Sequence, residues 1–71
     1  KGTEHMKLLF DEKADALYLR LDDSEIVESE EVQPGVVLDF NADNLVVGVE
    51  LLNVRQRVSL ESLRTLEFRS A

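Results

Sequence analysis

Regular patterning starts at Met6. Met6, Leu8 and Phe10 alternate with Lys7 and Leu9, the period of an extended strand. Leu17, Leu19 and Leu21 alternate in the same way with Ala16, Tyr18 and Arg20, and the polar stretch from Asp11 to Asp15 separates the two runs. Setting Phe10 opposite Leu17 brings Leu8 against Leu19 and Met6 against Leu21, so all six apolar side chains share one face. A slip of one residue would divide them between the faces, which favours this register. Strands are therefore predicted over residues 6–10 and 16–21, closed by the turn-forming Asp22-Asp23-Ser24.

Residues 26–33 allow two descriptions. As an acidic strand, Val27, Ser29 and Glu31 oppose Glu28, Glu30 and Val32; as a loop, the segment crosses the sheet edge. Glu28, Glu30 and Glu31 suit an edge strand that must not pair further. Pro34-Gly35 punctuates the chain. Residues 36–40 and 45–52 then flank Asn41-Ala42-Asp43-Asn44, a hairpin signal. With Asn41 opposite Asn44, Phe40 meets Leu45, Leu38 meets Val47 and Val36 meets Val49. The reverse face then carries Val37, Asp39, Val46, Gly48, Glu50 and Leu52, with Asp39 facing Val46 and Glu50 approaching Gly35. Gly48, opposite Val37, leaves a shallow spot where another group can approach.

After Asn53 the period lengthens. Leu60, Leu63 and Leu66 recur at helical spacing, Ser59 is an N-cap residue type, and Glu61 suits the positive end of a helix dipole. A helix is expected over 60–68. Its length requires a surface to dock on, either the reverse face of the second hairpin or a second subunit. The expected fold is mainly β (α+β): an antiparallel β-meander of four to five strands with one short C-terminal helix.

Composition narrows the function classes. The chain has 71 residues, eight Lys/Arg, fifteen Asp/Glu, a net charge of −7 and no Cys or Trp. It is one small domain with no disulfide framework, thiol nucleophile or zinc-thiolate site. The acidity argues against direct nucleic-acid binding, and the short apolar runs against a membrane span. Residues 1–5 read as a cloning-vector tail ahead of a native start at Met6, with residues 6–71 as the single domain. The lone histidine, His5, falls in that tail, so the domain has no imidazole to act as a near-neutral base or metal ligand. The absence of a signal-peptide pattern after Met6 gives a cytoplasmic expectation. Charge is also uneven, since carboxylates dominate through Glu50 and Arg55, Arg57, Arg64 and Arg69 follow. An intramolecular or subunit-to-subunit complement accounts for that split.

The order Asp11, Ala14-Asp15-Ala16-Leu17-Tyr18, an acidic stretch, Pro34-Gly35-Val36, Asp39 and Gly48-Val49-Glu50 resembles the DUF2283 family of small bacterial and archaeal proteins. The resemblance runs from about Met6 to Arg57, leaving the expected helix outside it. It implies a β-rich fold and a prokaryotic source, and carries no catalytic residue.

No phosphate loop, Ser/His/Asp set or metal-ligand spacing occurs, and no enzyme activity or cofactor is expected. The ligand candidates are Asp15 and Tyr18 near the first turn, and Asp39 and Glu50 on the reverse face of the second hairpin. Two carboxylates on one face suit a divalent cation or acid–base work. The competing description is a turn aspartate, a packed tyrosine with its hydroxyl near water, and carboxylates that are solvated or paired with arginine. The candidate interaction surface is Val37, Val46, Gly48 and Leu52 with the helix stripe Leu60, Leu63 and Leu66. Together these features lead to the expectation of an acidic interaction module, forming a homodimer and partnering a basic protein as an antitoxin does. The alternative is a small ligand-binding or hydrolytic protein using surface carboxylates.

Overall fold

Five strands form one antiparallel sheet in the computed structural model, which describes residues 6–70. The strands are β1 (Lys7–Asp11), β2 (Ala16–Arg20), β3 (Glu28–Gln33), β4 (Val36–Phe40) and β5 (Val46–Leu52). Their spatial order is β1-β2-β5-β4-β3. The fold is therefore mainly β, as the alternation requires. The expected tail at residues 1–5 lies outside the described residues. Within the sheet, β3, β4 and β5 make a meander, and the β1–β2 hairpin adds to it by pairing β2 with β5. The chain between β2 and β3 must therefore cross the ends of β5 and β4. Backbone bonds from Leu21 N to Val47 O (2.7 Å) and from Val27 N to Phe40 O (2.8 Å) fasten that crossing.

The first hairpin has the expected register, with Phe10 opposite Leu17 and Leu8 opposite Leu19. Its turn is tied by Asp11 Oδ1, which accepts from Ala14 N at 3.1 Å, and closes with Asp15 at a left-handed φ of 56°. The acidic stretch resolves as strand β3 over Glu28–Gln33, with all six residues exposed, while Ile26 and Val27 belong to the crossing loop. Pro34-Gly35 then reverses the chain, Gly35 taking the φ of 81° that a type II turn requires.

The second hairpin departs from the expected register. Phe40 faces Val46, Asp39 faces Gly48, Leu38 faces Val49 and Val36 faces Leu51. One residue of β5, Val47, is therefore extra, and the pairing shifts between Asp39 and Phe40 as in a β-bulge. The turn explains the shift. Asn41 Oδ1 accepts from Asp43 N (2.9 Å) and Leu45 N (3.0 Å), and Asn44 adopts a φ of 64°. Holding the turn through Asn41 moves Leu45 out of the ladder, and the bulge restores alternation beyond it.

The terminal helix is one turn, α1 (Leu60–Leu63), and does not extend over 60–68. Ser59 caps it, its Oγ accepting from Ser62 N at 3.1 Å. Two features end it early. The Thr65 hydroxyl donates back to the carbonyls of Glu61 (2.9 Å) and Ser62 (3.3 Å), and Arg64 N is shared between Leu60 O and Glu61 O. Beyond it Leu66 and Phe68 are exposed, so no burial supports further turns.

Side-chain alternation gives the sheet two unlike faces. The first carries Leu8, Phe10, Leu17, Leu19, Leu38, Val36, Val49 and Leu51. The C-terminal segment lies against part of it, leaving a groove of about 440 Å³ lined by Leu8, Phe10, Leu17, Leu51, Val54 and Leu63 among others. Among the described residues, the buried apolar side chains are Val47 and Val54. Val54, 1% exposed, opens the 3₁₀ turn Val54–Gln56 and is held by a bond from its N to Asp15 O at 3.0 Å. It joins the C-terminal segment to the first hairpin, so Val54→Ala should cost about 2 kcal/mol. The check is a urea titration in which the midpoint falls and the slope is unchanged.

Candidate functional site

The second face gathers polar groups around a glycine. Arg20 and Tyr18 of β2 pair with Gly48 and Glu50 of β5, and Gly48 and Glu50 pair in turn with Asp39 and Val37 of β4. Asp39 and Glu50 are thus diagonal neighbours on one face, a distance that side chains span. This corrects the expected arrangement, in which Asp39 faced Val46 and the carboxyls stood apart. The bulge at Val47 is the cause. It also moves Val46 opposite Phe40, off the face of Gly48.

Gly48 is small because the space above it is filled. A Cβ there would lie 2.8 Å from Asp39 Oδ2, 3.0 Å from the Tyr18 hydroxyl oxygen and 3.2 Å from Asp39 Cβ. Asp39 is 1% exposed, so it is neither solvated nor paired with arginine. Its Oδ1 accepts from the Ser29 hydroxyl at 2.6 Å. Its Oδ2 is buried and receives no hydrogen bond from an amide, hydroxyl or guanidinium.

Glu50, its diagonal neighbour, can supply that donor when protonated. Burial first, then the hydrogen bond to Asp39 and the charge of Asp39, hold the Glu50 carboxyl above its ordinary 4.5. A second negative charge beside Asp39 is unfavourable, which favours the neutral form of Glu50. A protonated Glu50 would donate to Asp39 and satisfy the orphan acceptor. Arg20 borders the cluster. Its Nη1 donates to the Tyr18 hydroxyl at 3.3 Å, its Nε to Asp22 O at 2.6 Å, and its Nη2 to Ser24 O. The Ser24 hydroxyl donates to Asp22 Oδ2 at 2.7 Å and holds that carboxyl below its ordinary range. Among the described residues, no group of three or more His, Cys, Asp and Glu comes together.

Of the four ligand candidates, Tyr18, Asp39 and Glu50 come together and Asp15 does not. Asp15 sits at the first turn, where its Oδ1 accepts from Arg55 N (3.1 Å) and Arg55 Nε (3.0 Å), and Arg55 Nη2 reaches Glu12 O at 2.9 Å. This clamp, with Arg64 at 3.5 Å from Glu12, realises part of the intramolecular charge complement. The candidate interaction residues do not form one surface. Val37, Gly48 and Leu52 lie on the polar face, Val46 pairs with Phe40, and Leu63 and Leu66 line the groove on the apolar face. Leu60 is half-buried in α1. Sequence patterning missed Ser29 and Arg20 as organising residues, and named Asn41 only as part of a turn. Ser29 carried a usable signal, as the uncharged polar side chain set between Glu28 and Glu30.

A family model described as a protein of unknown function, DUF2283, matches residues 7–55. The chain belongs to the DUF2283 family. The DUF2283 segment takes in all five strands, the carboxyl pair and the Arg55 clamp, and leaves out α1 and the tail that follows. No curated protein matches the chain. No solved structure matches it either.

Two substitutions test the cluster. Because Glu50 is raised in the folded state, its contribution to stability is complete below 4.5 and is lost as pH climbs through the raised folded value. Glu50→Gln keeps a donor for Asp39 at every pH. Denaturation midpoints from about pH 4 to about pH 8 should show the variant gaining on the native protein as pH rises. A difference independent of pH would contradict the raised Glu50 carboxyl. Gly48→Ala should cost about 1–3 kcal/mol by overpacking against Asp39 and Tyr18, read from the same titrations.

Proposed function

We propose that the chain is a small protein-interaction module that works as a homo-oligomer, with the homodimer as its unit. The supporting observation is the mismatch between the sheet and its core. Five strands bury only Val47 and Val54 as apolar residues among those described, while Met6, Leu8, Leu9, Leu66 and Phe68 are exposed, Phe68 at 88%. Exposed apolar surface on this scale marks an interaction site, and small domains commonly complete their cores by association. Isologous pairing about a two-fold axis is the commonest arrangement.

The distribution of charge supports a further partner of basic character. Arg55, Arg64 and Arg69 lie against Asp15, Glu12 and Glu67, and Arg57 donates to Pro34 O at 3.1 Å. Glu28, Glu30 and Glu31 on β3 stay exposed at the far edge of the sheet. An acidic strip of this kind attracts a cationic protein surface, as in an antitoxin or a regulatory subunit. The ligand-binding alternative is weaker, since Asp15 is engaged by Arg55 away from the other three candidates and no three ligating groups are placed to hold a metal among the described residues. No catalytic role is assigned. Among the described residues, no helix is long and apolar enough to cross a membrane. A cytoplasmic setting fits an acidic chain without cysteine.

Light scattering over about 5–200 µM protein should return twice the chain mass, with the monomer emerging only on dilution. A monomer mass across the whole range would contradict the homo-oligomer.

A further inference from the structure

We propose that two copies join through β1, edge to edge and antiparallel, about a two-fold axis that passes through Leu9. The inference rests on the homo-oligomeric reading and specifies its interface. The product is a continuous sheet built from two five-stranded halves.

The two edges of the sheet are unlike. Strand order leaves β1 and β3 as the edges, each with one side of its backbone unpaired among the described residues. β3 carries the defences of an edge that must stay single: Glu28, Glu30 and Glu31, and a register shift between Glu31 and Gln33. β1 has no such run or shift. Its sequence is Lys-Leu-Leu-Phe-Asp, its charges lie only at its two ends, its pairing with β2 is unbroken over five residues, and Leu8 (45% exposed) and Leu9 (60% exposed) put an exposed leucine on each face. A regular edge with an apolar centre is a template for strand addition.

Symmetry and charge fix the register. A two-fold axis perpendicular to the sheet sets residues of the same face opposite one another, so it must pass through a residue position. Centred on Leu9, all five residues of β1 find a partner. Leu9 meets Leu9 of the second copy, Leu8 meets Phe10 twice, and Lys7 meets Asp11 twice. The Lys7–Asp11 contacts put opposite charges directly across the strands. Centred on Leu8, Lys7 would face Leu9 and Asp11 would have no partner within the strand.

The surroundings favour the same register. Leu8 and Phe10 line the groove beneath the C-terminal segment, and Met6, Leu8, Leu19, Leu66 and Phe68 line a second apolar hollow of about 370 Å³ beside it. The two-fold axis brings these hollows side by side and makes the apolar faces continuous. It also sends both acidic β3 edges to opposite ends of the assembly, the arrangement that chains of net charge −7 tolerate best.

Leu9→Cys tests the interface directly, since the chain has no other cysteine and residue 9 would stand across from its own copy within disulfide range. Under mild oxidation Leu9→Cys should give a covalent dimer at least tenfold faster than Val32→Cys, a control at an exposed apolar position of β3. Adding Lys7→Glu to Leu9→Cys should slow the cross-link several-fold, because two carboxylates then face each other at both ends. An equal rate for Leu9→Cys and Val32→Cys, with a dimer still seen by light scattering, would overturn edge pairing and leave the homo-oligomer standing. A monomeric native chain would remove both. A cross-link insensitive to Lys7→Glu would overturn the register.

Discussion

One sheet has two faces, and this chain has little with which to cover them. That constraint governs the rest of the molecule. Apart from its strands, a loop and a short C-terminal segment are available, and α1 within that segment is a single turn. The segment reaches the apolar face because Val54 is pinned to Asp15 O and Arg55 grips the first turn. The groove that remains between segment and sheet shows how incomplete the cover is. Folding must offset the conformational entropy of the whole chain with burial from this limited area, so the margin is small. The proposed association through an exposed edge would add to that margin.

The polar face meets the same shortage differently. Instead of an apolar cover it has a hydrogen-bonded layer: Ser29 on Asp39, Arg20 on Tyr18 and on the crossing loop. Placing Asp39 in this layer would cost free energy if Oδ2 stayed unpartnered. A proton on Glu50 would remove that cost, and Gly48 gives the room. The cluster therefore serves the fold, and its raised Glu50 carboxyl ties it to pH.

How far the sequence could be read depended on where alternation carried information. In the first hairpin leucines alternate strictly with other types, and only one register keeps them together, so Phe10 and Leu17 were aligned correctly. In the second, Leu45, Val46 and Val47 are all apolar and Gly48 has no side chain, so the pattern is silent about parity where the bulge occurs. The error that follows separates Asp39 from Glu50 and sets Val46 on the wrong face. The stripe Leu60, Leu63 and Leu66 marked a helix whose start was right, because Ser59 is a local cap. Its length depended on a docking surface, which no local pattern reveals. Individual residues of the cluster were visible as candidates, while their meeting required the true register.

Amide hydrogen exchange followed at low and high protein concentration tests the proposed pairing of β1 with a second copy most directly. With that pairing, β1 amides not bonded to β2 gain protection as concentration rises, while those on the outer side of β3 do not. Equal and rapid exchange of both edges at every concentration would contradict it.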